Sequence, residues 1–170
     1  MNKEAIQLNA ITPISKEETG QQRWDRFTPI KTGEEYIESL RGRGLTVYLM
    51  GEQIGEPVDH PIIRPSINAL RATYDLAIDD PDLATAWSPL IDAPVNRFLH
   101  LVESPEDLVL KNRMQRRMGQ LTGTCFQRCA GLDTISVLHS ITYDIDQKHG
   151  TEYHQRYLDF MVHAQRNNII

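Results

Sequence analysis

Between Ser104 and Ser136 the chain carries one apolar stripe, and that stripe limits what the surrounding sequence can fold into. Leu110, Met114, Met118, Leu121, Cys125, Cys129, Leu132 and Ser136 follow one another at spacings of 4, 4, 3, 4, 4, 3 and 4. Only a helical period keeps such residues on one face, because a strand would scatter them over both. The entry is equally explicit. Ser104 is a good N-cap, Pro105 suits the first helical position, and Glu106 and Asp107 oppose the positive end of the helix dipole. A long helical region is expected, with both cysteines on its buried face. Gly119, Gly123 and Gly131 each weaken a helix by about 1 kcal/mol relative to alanine, so the stretch is expected to bend or to admit a close neighbour.

The remaining text supplies elements for that region to pack against. Thr32 with Glu35 three residues on forms a capping pattern. Tyr36, Ile37 and Leu40 follow at helical spacing, and Gly42 and Gly44 act as stops, which predicts a short helix. "LTVYLMGEQI" predicts a small β-hairpin turning at Gly51-Glu52. Pro65 opens a second helix with Ile67, Leu70, Tyr74 and Ala77 on one face, ending before Pro81. "LATAWSPLIDAPVNRFLHLVE" is interrupted by Pro89 and Pro94 and reads as connection, with Trp87 and Phe98 turned inward. Thr151 is placed to cap a last helix reaching about Asn167, with Tyr153, Tyr157, Phe160, Met161 and Ala164 on its apolar side. The expectation is a mainly α fold with one small β-hairpin. Residues 1–30, aperiodic and polar with Trp24 and Phe27 as anchors, form a loosely held extension, and residues 31–170 form a single helical domain.

Composition narrows the function. A formal net charge of -5 argues against general phosphate-backbone binding, so no nucleic-acid partner is expected. No apolar run reaches the roughly 20 residues that span a bilayer, and the first residues lack a signal core, so a cytoplasmic, membrane-free protein is expected. In a reducing compartment the two cysteines are expected to remain thiols.

Those thiols are the main chemical signal. At i and i+4 on a helix, Cys125 and Cys129 lie about 5 to 6 Å apart and can address one object, such as a metal centre. Two thiols on an apolar stripe also pack well as small hydrophobes, and on spacing alone that is the more economical account. A tetrahedral zinc site lacks suitably spaced partners among His139, His149, His154 and His163. A redox dithiol would want Cys-x-x-Cys at a helix N-terminus, whereas this pair falls mid-helix. An iron-sulfur cluster needs four ligands, which the chain does not contain as cysteines. Lys111, Arg113, Arg116, Arg117 and Arg128 form a basic group around the pair, suited to anions or, more simply, to a solvated face with ion pairs to Glu103, Glu106 and Asp107. Nine residues separate Arg116 from Cys125, which places them about 180° apart on a straight helix. Gln127 lies between the cysteines as a hydrogen-bonding group or an exposed polar residue. The late histidines read as satisfied polar residues.

Four stretches carry a resemblance beyond spacing. "TGEEYIESLRGRGLTVYLMGEQI", "DHPIIRPSINALRATYDLA", "KNRMQRRMGQLTGTCFQRCAGLD" and "YDIDQKHGTEYH" together resemble the N-terminal region of the 4-hydroxybutyryl-CoA dehydratases, within the wider 4-hydroxyphenylacetate 3-monooxygenase flavoprotein family. The resemblance runs from about Thr32 to the end of the chain. It implies the helical N-terminal domain of an acyl-CoA dehydrogenase-like fold, a homotetramer, FAD and a 4Fe-4S cluster. The activity it implies is conversion of 4-hydroxybutyryl-CoA to crotonyl-CoA, with vinylacetyl-CoA isomerisation, by a radical route. Such a route answers a real difficulty, since no ordinary side-chain base removes an unactivated β-proton. By the resemblance Cys125 and Cys129 are two cluster ligands, and Arg116 and Gln127 are active-site residues. The remaining ligands, a histidine and a cysteine, and the flavin centre lie beyond residue 170 in the family. The chain is therefore expected to be a fragment or one part of a split enzyme, inactive alone and dependent on the remainder or a companion chain. With Arg116 in the pocket, the helix is expected to bend between Gly119 and Gly123. Two other readings stay open: a flavin-dependent aromatic hydroxylase of the same family, and a non-catalytic helical interaction domain.

Overall fold

The computed structural model describes residues 28–124 and 128–170, so the expected anchors Trp24 and Phe27 lie outside the described residues. Among the described residues the fold is mainly helical, with six α-helices and two two-stranded antiparallel ribbons. Helix α1, Gly33–Leu40, begins as its sequence dictates, with the Thr32 hydroxyl accepting from the Glu35 N–H at 3.1 Å. Gly42 and Gly44 both take φ of 63°, the left-handed conformation that ends the helix cheaply only at glycine.

Strands β1 (Val47–Leu49) and β2 (Glu52–Ile54) form the expected hairpin with Leu49 opposite Glu52. The turn is Met50-Gly51, one residue earlier than predicted, with φ of 52° and 87°. Positive φ at both central residues is the turn that matches strand twist, and glycine is needed at only one of them. Helix α2, Arg64–Asp79, buries Ile67, Ala69, Thr73, Tyr74 and Leu76. It lies against α1 so closely that a Cβ at Gly33 would stand 2.3 Å from Arg71 Cγ, and the Gly33 N–H donates to Asp75 Oδ1 at 2.9 Å. Ile37, Val58 and Ile67 seal this pair.

After the single turn α3 (Pro81–Ala84), the stretch read as connection forms a second hairpin, β3 (Thr85–Ser88) with β4 (Ala93–Asn96). Pro94, opposite Trp87, is tolerated because each strand of a two-stranded ribbon has a free edge where a missing N–H loses nothing. Phe98 is buried as expected, but Trp87 is 60% exposed rather than turned inward. The ribbon is fastened by polar groups: Ser88 Oγ donates to Gln165 Oε1 at 2.7 Å, and Asn96 Nδ2 donates to the Thr73 carbonyl at 3.0 Å.

Helix α4, Pro105–Thr122, starts with a full capping box between Ser104 and Asp107. Helix α5, Cys129–His149, and helix α6, Tyr153–Asn167, follow and pack on each other. Thr151 does not cap α6. Its hydroxyl donates to Asp146, whose two carboxylate oxygens accept the N–H groups of Tyr153 and His154 at 2.9 and 2.8 Å. A carboxylate from the preceding helix thus fills the role assigned to Thr151, which holds α5 and α6 as one hairpin. Asn168 Nδ2 returns to the Ile30 carbonyl at 2.8 Å, tying the start of the described chain to its end. The central core joins α2, α3, α4 and α5 through Ala69, Leu76, Ala84, Phe98, Met114, Met118 and Leu132. No described helix is long and apolar enough to cross a membrane.

Candidate functional site

The stripe that predicted one long helix is cut in two. Helix α4 ends at Gly123, which has φ of 61° and returns its N–H to the Gly119 carbonyl at 3.0 Å. A continuous helix would place Lys111 and Leu132 about 30 Å apart. Instead Lys111 Nζ donates to the Leu132 carbonyl at 3.1 Å and to Ser136 Oγ at 3.3 Å. In place of the expected bend between Gly119 and Gly123 the helix ends at Gly123, and the first turns of α5 lie beside Lys111. Met114, Met118 and Leu132 keep their buried places, while Leu121 is 50% exposed next to the break.

This break bears on Cys129. Cys125 and Gln127 lie outside the described residues, and with them the expected relation between the two thiols. Cys129 is the first residue of α5, not a mid-helix residue, and Arg128 at the N-cap supplies no side-chain cap. The first N–H groups of a helix lack internal partners and carry the positive end of its dipole, a position that favours a thiolate. Among the described residues no group of three or more His, Cys, Asp or Glu is arranged to hold a metal by itself.

Arg128 is the residue whose environment the sequence did not disclose. Its guanidinium lies 5.9 Å from the Tyr36 ring centroid, and Nη1 donates to the Ile170 carbonyl. Tyr36 stacks on Tyr74 with centroids 5.2 Å apart. Burial pushes both tyrosines up and Arg128 down, and the Arg-Tyr proximity opposes each shift. Arg128 Nε is buried with no hydrogen-bond partner among the described residues. This cation-aromatic cluster ties the residue before Cys129 to α1, α2 and the end of α6. Sequence spacing could not reveal it, since Tyr36, Tyr74, Arg128 and Ile170 are brought together only by long-range packing.

The other basic residues divide. Arg116 is exposed on α4, on the side away from Met114 and Met118, as helical geometry requires. Lys111 was expected on a solvated face with ion pairs, yet it is 6% exposed and burial pushes its amine down. Asp107, its expected partner, instead faces Arg97 at 3.8 Å and His100 at 3.4 Å. Burial works against the Asp107 charge, but the Glu103 N–H, the Ser104 hydroxyl and His100 outweigh it and hold the carboxyl below the usual range. Arg97 donates to the Leu83, Asp82 and Thr85 carbonyls, pinning the hairpin to α3. His154 Nδ1 is paired with the Thr142 hydroxyl at 3.0 Å, in line with a satisfied polar role.

The family described as 4-hydroxyphenylacetate 3-hydroxylase N terminal matches residues 32–170. The chain belongs to that family. Within the 4-hydroxyphenylacetate 3-hydroxylase family, it is 48% identical over 143 residues to the 4-hydroxybutyryl-CoA dehydratase/vinylacetyl-CoA-Δ-isomerase of Clostridium aminobutyricum, covering 83% of this chain and 29% of that protein. It is 26% identical over 94 residues to the 4-hydroxyphenylacetate 3-monooxygenase oxygenase component of Geobacillus sp. (strain PA-9), covering 55% of this chain and 19% of that protein. Its fold matches an oxygen-tolerant archaeal 4-hydroxybutyryl-CoA dehydratase from N. maritimus with a TM-score of 0.79 and 60% identity, over 82% of this chain and 28% of that one. The helical domain is thus of the acyl-CoA dehydrogenase-like type shared by this family. The chain spans less than a third of the length of these relatives.

Proposed function

We propose that this chain is the N-terminal portion of a 4-hydroxybutyryl-CoA dehydratase that also isomerises vinylacetyl-CoA. The observation that carries the reading is the 60% identity to a solved dehydratase over 82% of the chain, well above the 26% identity to the monooxygenase component. In this reading Cys125 and Cys129 supply two of four ligands to a 4Fe-4S cluster, and FAD is bound mainly by polypeptide outside this chain. When bound, the flavin supplies one-electron chemistry and the cluster a Lewis-acidic iron, which together make an unactivated C–H bond removable. The chain's own part is positional. Gly123 ends α4, Arg128 is clamped between Tyr36, Tyr74 and Ile170, and Cys129 opens α5. Arg116 and Gln127 line the site that receives the CoA ester. The enzyme works as a cytoplasmic homotetramer, and this chain by itself has no dehydratase activity.

Iron and acid-labile sulfide analysis tests this on the chain co-expressed with the rest of the enzyme. Stoichiometric iron, lost on Cys125→Ala or Cys129→Ala, is expected. Flavin retained without iron would overturn the reading in favour of a flavin-dependent aromatic hydroxylase, and absence of both would favour a non-catalytic helical domain.

A further inference from the structure

Two histidines from different helices meet in the α5–α6 hairpin. At 100° per residue, His139 and Tyr143 fall within about 20° of Leu132, on the side of α5 that faces α6. From α6, His154 sets its ring against both, with its centroid 5.1 Å from that of His139 and 5.5 Å from that of Tyr143. Tyr157 stands 6.0 Å from His139, and its hydroxyl is already committed to the Ile135 carbonyl at 2.6 Å. His139 is exposed and His154 half-buried, so solvent reaches both rings.

The hydrogen bonds fix how His154 presents its nitrogens. The Thr142 hydroxyl has one hydrogen and donates it to the Leu138 carbonyl at 2.6 Å. Its oxygen, 3.0 Å from His154 Nδ1, is left as an acceptor, so Nδ1 carries the ring proton. Nε2 is then a bare lone pair. A metal-ligating histidine has this arrangement, because its other nitrogen donates to a neighbour that sets the tautomer and holds the ring. Neither nitrogen of His139 is hydrogen-bonded among the described residues. The spacing fits as well: with metal–nitrogen bonds of about 2.1 Å, two imidazoles on one tetrahedral ion place their centroids about 5 Å apart. Asp146 adds negative charge close to His154, while its oxygens are taken by the Thr151 hydroxyl and the Tyr153 and His154 N–H groups. It favours a cation without ligating one.

The geometry points to a binding site for one divalent transition-metal ion of the zinc class, held by Nε2 of His154 and one nitrogen of His139 with water in the remaining positions. Imidazole nitrogen selects such ions over the hard magnesium and calcium ions, which prefer oxygen. The ion would join α5 to α6 across the hairpin. This site is separate from Cys125 and Cys129 and does not depend on the dehydratase reading.

Zinc chloride titrated calorimetrically into the untagged chain tests this, with Cys125→Ser and Cys129→Ser in place so that zinc held by thiols does not count. Binding of one ion per chain is expected, and magnesium chloride should not bind. Adding His139→Ala or His154→Ala should abolish the zinc binding, and Thr142→Val, which removes the group that orients His154, should weaken it about tenfold or more. Nitrogen NMR of the imidazole rings in the unaltered chain needs no substitution, so it carries the test even where a variant folds poorly. There His154 should be protonated on Nδ1 before zinc is added, and zinc should shift the His139 and His154 ring signals together. Zinc binding that survives both histidine substitutions, no zinc binding at all, or a metal-free His154 protonated on Nε2 would each overturn the proposal.

Discussion

At the scale of single residues, the positions that matter most are buried polar groups whose partners come from far along the chain. Lys111 holds the Leu132 carbonyl and Ser136 hydroxyl while desolvated, and its folded amine lies below the ordinary 10.5. A lysine with a depressed folded value lowers stability at neutral pH, and that penalty is relieved as pH rises through the folded value toward 10.5. Lys111→Met should therefore keep stability within about 1 kcal/mol at pH 7, and urea titrations should show that it lacks the wild-type gain at alkaline pH. Asp107 has the opposite sign. Its folded carboxyl lies below 3.8, so its contribution is present above that value and is lost as pH falls through the folded one. Asp107→Asn should cost about 2 kcal/mol at pH 7 by weakening the capping box and uncovering Arg97, and the gap to wild type should narrow in acid.

At the scale of elements, two glycines in one helix have opposite roles. Gly123 adopts φ of 61° to end α4, whereas Gly119 sits within the helix and an added Cβ there would meet nothing within 4 Å. Gly123→Ala should lower stability by about 1 kcal/mol, and Gly119→Ala should raise it by about 0.5 to 1 kcal/mol, both read from the urea midpoint. The apolar period from Leu110 to Ser136 correctly marked two helices and their buried methionines and Leu132, but it could not show that they were two. A periodic stripe can continue across a break when the next segment packs against the same core, as Leu132 does with Met114 and Met118. The second hairpin escaped for a related reason. Pro89 and Pro94 lower strand propensity, and only the ribbon's free edges make Pro94 harmless there.

At the scale of the whole molecule, the chain spans less than a third of the dehydratases it matches, and the proposed function is divided accordingly. Assayed alone, the chain should give no turnover of 4-hydroxybutyryl-CoA, and co-expression with the remainder of the enzyme should restore it together with iron. The sequence by itself determined the elements with local signatures: the Thr32 and Ser104 caps, the glycine stops after α1, the first hairpin, the helical periods, and the resemblance centred on the two cysteines. These are fixed by contacts within a few residues, so they are legible in order along the chain. Tertiary structure alone decided the burial of Lys111 and the clamp on Arg128. Both depend on groups 21 to 92 residues apart, Lys111 with Leu132 and Arg128 with Tyr36, and no local pattern encodes which distant partner will satisfy a buried charge.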